Sequence, residues 1–424
     1  KFMKLLILSI FICSFIVFIT CDESDPPNYR YHMSLIMNYS NEQHKMFIRD
    51  YFKVPGIVSN PCIYTWPLNH NYSNEQTINL LIFALGGCNG CLIEYYIVSY
   101  NTSSFLWKVT STGLLHIEKE SINSNEIDYE PLKSGKIADP RGYTINHKSR
   151  IVYIHDTENG RQQLVISDIA YNSSLNILYV KIPMRLNIEY EITARHEKNW
   201  MPFIYKFINK LSYNNTSSNN NFTNKIVTTE LFVHSIYPHR VVHPVDIEKD
   251  NITNLKAWNV YTVSITKISN MTEQQIWPYG PMHGGSNAIL VNTKYGYKYL
   301  TIFHSHSTYM DRWCITYFFG LYLFDPSPPF AITHISPVPI IPNAFYNETT
   351  DGWSYRSIDY IVFPIGLIKI DDMLYISVGR HDRSGWILKI LLSGLIDSLK
   401  NVSSEVIQNN FRHHMIGVLS KPIN

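Results

Sequence analysis

The sequence predicts an all-β protein, specifically a five-bladed β-propeller, and three observations carry that prediction. Apolar runs of strand length recur at 80–83, 151–154, 231–233, 299–303 and 373–377, each followed closely by a polar residue or glycine. Their starts lie roughly 70 to 80 residues apart, room for four strands and decorated loops per repeat. Other strand-like runs fill the intervals, at 92–100, 163–169, 177–182, 260–265, 315–324 and 386–392, while the best helical candidate is the short stretch 394–400. Strands without alternating helices argue against a βαβ architecture.

Composition agrees with this reading. The chain has 424 residues, 45% of them hydrophobic, with 30 Tyr and 20 Phe. That is enough to bury a sizeable core, and it is rich in strand formers. The formal net charge is only +2, and no long single-sign block occurs, so neither nucleic acid nor an acidic membrane surface is indicated as a partner. There is no Gly-x-Ser-x-Gly elbow, P-loop or dinucleotide-binding glycine pattern, which leaves serine-hydrolase, nucleotide-dependent and nicotinamide chemistry without support.

The N-terminus sets the expected compartment. Lys1 and Lys4 precede an apolar run over 5–20, after which Asp22, Glu23 and Asp25 follow. This reads as a signal peptide or signal anchor over 1–21, followed by a single five-bladed propeller domain over 22–424. Glycosylation sequons run from Asn38 to Asn401, which fits a secreted protein or one of the ER/Golgi lumen. A membrane is a partner only if the first segment is retained. Beyond the signal, Cys62, Cys88, Cys91 and Cys314 remain. A lone Cys-x-x-Cys lacks the second pair that zinc requires, so export favours one or two disulfides.

In a propeller the strand ends share a funnel, and the polar residues there are the candidates for chemistry. Asp139 sits in Ala138-Asp139-Pro140-Arg141, where the proline predicts an extended aspartate and the arginine a fixed charge beside it. Lys198, His239 and Arg240 are cations able to clamp an anion such as phosphate. Between them Trp200 offers either a flat face for a sugar or a buried core ring. Gly284 and Gly285 allow close backbone approach, and His283, His304 and His306 lie nearby without a zinc spacing. Asp325 reads as a turn former after its strand; Asp382, among Arg380, His381 and Arg383, reads less simply.

Taken in order, these segments resemble glycoside hydrolase family 130, the β-mannoside phosphorylases, and the related β-1,2-mannosyltransferases. Asp139-Pro140-Arg141 resembles the family's Glu-Asp-Pro-Arg signature, and Lys198-Asn199 its Lys-Asn pair. His239-Arg240 falls where the family places anion-binding residues. Gly284-Gly285 and the strand to His304 resemble its glycine-rich turn and Tyr-His strand. Val362-Phe363-Pro364-Ile365-Gly366 and the stretch from Gly379 to Asp382 are similar to two further segments, so the likeness runs from about Asn60 to about Leu392. Ala138 and Asn287 depart from it, standing where Glu and Pro are common.

The resemblance implies that Asp139 is the proton donor. It also implies substrate or phosphate binding by Asn60, Arg141, Lys198, Asn199, His239, Arg240, Gly285, His304 and Asp382. No cofactor or metal is implied; the co-substrate is inorganic phosphate or an activated mannose, and the partner a mannose-containing oligosaccharide or glycan. Because phosphate is itself a nucleophile, one carboxyl suffices, whereas an inverting hydrolase needs a second. Two alternatives stay open: a phosphate-independent propeller hydrolase using Asp382 or Asp156 as second acid, and a non-catalytic glycan-binding propeller.

Overall fold

A computed structural model of the chain describes residues 48–54, 60–66, 77–84, 92–101, 106–120, 127–133, 137–156, 162–188, 199–209, 225–246, 257–309, 314–340, 342, 345, 361–381 and 384–411. The expected signal at 1–21 lies outside them, as do Cys88, Cys91, Lys198 and Asp382. The described residues are all-β, arranged as five successive antiparallel runs.

The first run comprises Pro61–Thr65, Thr77–Ala84, Glu94–Asn101 and Leu106–Glu120. The second comprises Ile137–Ile145, Lys148–Asp156, Gln162–Asn172 and Ile177–Val180. Met201–Asn209, Lys225–Ser235, His239–Asp246 and Ala257–Ile268 make the third. Ile289–Thr293, Gly296–Tyr309, Cys314–Phe324 and Ile332–Ile335 make the fourth, with His283–Gly284 also paired to Gly296–Tyr309. In the fifth, Val362–Ile370, Met373–Arg380 and Ser384–Leu391 are joined by the N-terminal strand Ile48–Val54, which pairs with Ser384–Leu391.

The recurring apolar runs of the sequence are the second strands of these five. Each is hydrogen-bonded on both edges, and residues such as Leu80, Leu81, Ile151, Val152, Leu231, Ile302 and Ile376 are wholly buried. A strand covered on both faces has no reason to alternate polar and apolar residues. The one longer helix, Leu392–Ser398, lies close to the expected 394–400.

The runs are tied to one another. Ile177–Val180 lies parallel to Leu106–Glu120, and Met184–Ile188 lies parallel to Ala257–Ile268, merging the first three runs into one sheet. Their leading strands also touch in sequence. Gly142 N–H points at the Cys62 thiol at 3.1 Å and Thr144 hydrogen-bonds Thr65 O. Ala288 N–H donates to Pro202 O at 2.8 Å. The buried Asn287 amide pairs with both the N–H and the C=O of Leu367, at 3.0 Å each. This explains Asn287 locally: its side chain copies a peptide group and joins the fourth run to the fifth. The fifth returns to the first, since a Cβ on Gly366 would come within 2.7 Å of Ile63 N.

Local packing decides three further points. Cys62 is a free, buried thiol and takes part in no disulfide. Trp200 is 1% exposed and packs on Phe232 and His234, so it presents no face to a sugar. Asp139 is not extended: it lies inside the Ile137–Ile145 strand, at a register shift between Ala138 and Arg141, with φ +52°. A bulge overrides the preference imposed by Pro140, and aspartate is among the residues that tolerate the left-handed region. Asp325 does behave as a structural acid, paired with Lys298 at 2.6 Å.

Candidate functional site

The bulge places the Asp139 carboxyl, half-buried, at the point where the leading ends of several runs meet. Asn60, immediately before the Pro61–Thr65 strand, donates its Nδ2 to Asp139 Oδ1 at 3.0 Å. Gly379 lies directly behind Asn60: a Cβ there would fall 1.8 Å from Asn60 Oδ1. Only glycine lets the fifth run approach the first so closely.

Arg141 gathers the other side. Its Nη1 donates to Asp139 O at 3.1 Å, and its Nη2 donates to Asn199 Oδ1 at 2.9 Å and Gly284 O at 3.2 Å. Its Nε donates to Gly285 O. Burial lowers the guanidinium pKa to about 10, against the pull of Asp139 in the other direction, so it stays a cation at neutral pH. Asn199 itself has φ +69°, and a Cβ on Gly284 would sit 1.8 Å from Asn199 O. Arg141, Asn199 and the two glycines thus interlock.

An aromatic wall continues from Gly284. His304, buried, packs on Phe363 with ring centroids 4.4 Å apart and on Tyr317 at 6.0 Å. His283 stacks on His306 at 5.7 Å, and His306 on Tyr317 at 5.6 Å. Burial holds the His304 pKa well below the ordinary imidazole value, helped by the charges of His283 and Arg141. Burial and His306 lower that of His283 as well. These rings offer hydrogen bonds and flat faces, the two things a sugar needs. Sequence reasoning missed Tyr317; its direct register partner is His306, across antiparallel strands that only the fold brings together.

The predicted site residues therefore divide. Asn60, Asp139, Arg141, Asn199, Gly285 and His304 come together. Lys198 and Asp382 lie outside the described residues. His239 is 1% exposed, packed on Tyr322 and Phe324, and burial lowers its pKa to about 3. Burial outweighs the opposing effect of a Phe330 backbone hydrogen bond, so the ring is held neutral and cannot clamp an anion by charge. Arg240 hydrogen-bonds Thr262 at 2.9 Å on the neighbouring strand.

A cavity of about 1010 Å³ opens among the later residues of these leading strands, lined by Thr65, His147, Lys206, Tyr297 and Lys369 among others. Its lining holds no carboxyl group and does not include Asp139.

Among the described residues, the fold and site define an all-β chain whose strand ends gather an acid, amide and guanidinium groups, and an aromatic wall. No family model and no curated protein matches the sequence. Solved structures are similar to it in fold. One was reported for the GH130 family of mannoside phosphorylases, which contains glycoside hydrolases that target β-1,2 mannosidic linkages in Candida mannan. It is 12% identical over 81% of this chain and 94% of that one, with a TM-score of 0.43. A β-1,2-mannobiose phosphorylase from Listeria innocua, solved with β-1,2-mannobiose, is 13% identical over 82% and 99%, with a TM-score of 0.38. A GDP-Man-dependent mannosyltransferase from Leishmania mexicana is 10% identical over 84% and 93%, with a TM-score of 0.35.

Proposed function

We propose that the five runs are the blades of a five-bladed propeller. We further propose that the protein is a carbohydrate-active enzyme making or breaking β-mannosidic bonds, by inverting phosphorolysis or mannosyl transfer, with Asp139 as general acid. The observation that carries this reading is the placement of Asp139: a half-buried carboxyl, turned by a left-handed bulge, held by Asn60 and flanked by Arg141. The ordered motifs from Asn60 to Asp382 that resemble the β-mannoside phosphorylases supply the sugar.

In this reading the mannosyl unit lies against the wall of His304, Tyr317 and Phe363. Asp139 gives its proton to the glycosidic oxygen as the bond to the anomeric carbon breaks. An oxygen of phosphate attacks that carbon from the opposite face, leaving mannose 1-phosphate of inverted configuration and a free sugar hydroxyl. Run in reverse, the acceptor hydroxyl returns its proton to Asp139 while phosphate, or the leaving group of another activated mannose, departs. Lys198 and Arg240 remain the cations assigned to the anion, and Asp382 a sugar contact; His239 drops out because it is neutral. The protein acts on a mannose-containing glycan in the secretory lumen or outside the cell.

The test is a product assay with purified protein. β-Mannosides are supplied with and without phosphate, and acceptors are supplied with mannose 1-phosphate or GDP-mannose. Phosphate-dependent formation of mannose 1-phosphate, or donor-dependent growth of the acceptor, is the expected result. Sugar release that ignores phosphate would transfer the reading to a hydrolase. Mannoside binding without any turnover would reduce it to a binding module.

A further inference from the structure

Arg141 is the charged group nearest in sequence to the proposed proton donor, and resemblance alone would make it a ligand of the substrate anion. Its surroundings point elsewhere. The side chain is 0% exposed. A guanidinium has five N–H donors; here Nε, Nη1 and Nη2 are directed at Gly285 O, Asp139 O, Asn199 Oδ1 and Gly284 O. All four acceptors belong to the protein, and at most one N–H is left for anything else.

Two of the four acceptors belong to residues of uncommon backbone. Asp139 and Asn199 both have positive φ, at +52° and +69°. Such backbone conformations persist only where the surroundings over-determine them. Gly284 is pressed against Asn199 O so closely that no side chain fits. A single planar fork holds all three segments. Lysine could not do the same, because an ammonium is a point charge without the fork.

We infer that Arg141 is a positioning residue, which clasps the Asp139 carbonyl to Asn199 and to the 284–285 backbone and so fixes where the Asp139 carboxyl points, instead of binding the anion. The inference rests on the reading of Asp139 as proton donor. It assigns the anion wholly to other groups.

The experiment compares wild type, Arg141→Lys and Arg141→Ala in whichever β-mannosidic reaction the wild type performs, with kcat and the KM for the anionic co-substrate measured separately. A displaced acid lowers kcat by about 10²-fold, while the KM for phosphate or activated mannose stays within about twofold. Added guanidinium ion, filling the space left in Arg141→Ala, restores part of kcat without changing that KM. A KM raised tenfold or more with kcat preserved would overturn the inference and make Arg141 an anion ligand. Arg141→Lys keeps the charge and most of the volume, so it covers the case in which the alanine variant does not fold. If the wild type turns over no mannoside, the functional reading fails separately. Amide exchange then still decides the clasp: the amides of 139, 141 and 142 and of 283–287 exchange faster in Arg141→Lys if it exists, and unchanged if it does not.

Discussion

Two arginines, Arg141 buried and Arg150 partly buried, sit on the two arms of one hairpin, and they do opposite things. Arg150 faces carboxylates: its Nε meets Asp168 Oδ1 at 2.8 Å, its Nη1 meets Glu230 Oε1 at 2.5 Å, and its guanidinium lies 5.3 Å from the Trp258 ring centroid. Burial alone would lower its pKa, yet Glu230 and Asp168 outweigh that and hold it above the ordinary value. Arg141 faces only neutral oxygens apart from its neighbour Asp139, and burial prevails. The first is a charge network bolting the second run to the third, completed by Tyr143 Oη on Glu230 at 2.6 Å. The second organises backbone around an acid. Similar chemistry serves stability in one place and placement in the other.

The largest effect on stability is expected at the network. Glu230→Ala removes the buried carboxylate that faces the partly buried Arg150, and breaking a buried pair from one side costs up to about 3–5 kcal/mol. Denaturant unfolding should show that loss. A cost below about 1 kcal/mol would mean that the pair behaves as a surface one, and the contrast with Arg141 would collapse.

Acid should come next. His239 titrates near 3 in the folded protein and near 6.5 when unfolded. The folded chain therefore binds fewer protons between those values, so its stability is complete above about pH 6.5 and declines as pH falls toward 3. His304, also depressed by burial, acts in the same direction. Thermal midpoints from pH 7 to 4 should fall for the wild type and fall less steeply for His239→Gln. Equal slopes would remove His239 from the account. At the small end is the exposed Lys294–Asp397 pair. Lys294→Ala should leave the thermal midpoint unchanged, and a clear drop would show that exposed and buried charges are not as different here as the two arginines suggest.

The fold was readable in the sequence where strands are buried on both faces. Runs such as 151–154 and 231–233 are apolar because their strands have neighbours on every side, and all five recurring runs proved to be second strands. The leading strands were harder to see. Ile137–Ile145 carries Asp139, Pro140, Arg141 and Gly142, a composition that resembles a loop, because these strands must bulge and turn groups toward the centre. Motif order brought Asn60, Asp139, Arg141, Asn199, Gly285 and His304 into one candidate set, and the fold brings them into one place. What sequence could not reveal was direction and burial. His239 reads as a cation and is a neutral core ring; Trp200 reads as platform or core ring and is the latter; Asp139 reads as extended and is left-handed. Each of those outcomes is fixed by neighbours distant in the chain.

Asp139→Asn offers the most direct trial, because the amide keeps the shape and the bond to Asn60 can re-form with the oxygen while the transferable proton is lost. Single-turnover rates with a β-mannoside and phosphate, or with the activated donor, should fall by about 10²–10⁴-fold while thermal stability and mannoside binding are retained. A variant that reacts at the wild-type rate would show that the proton comes from elsewhere and that the junction around Asp139 is not the seat of the chemistry.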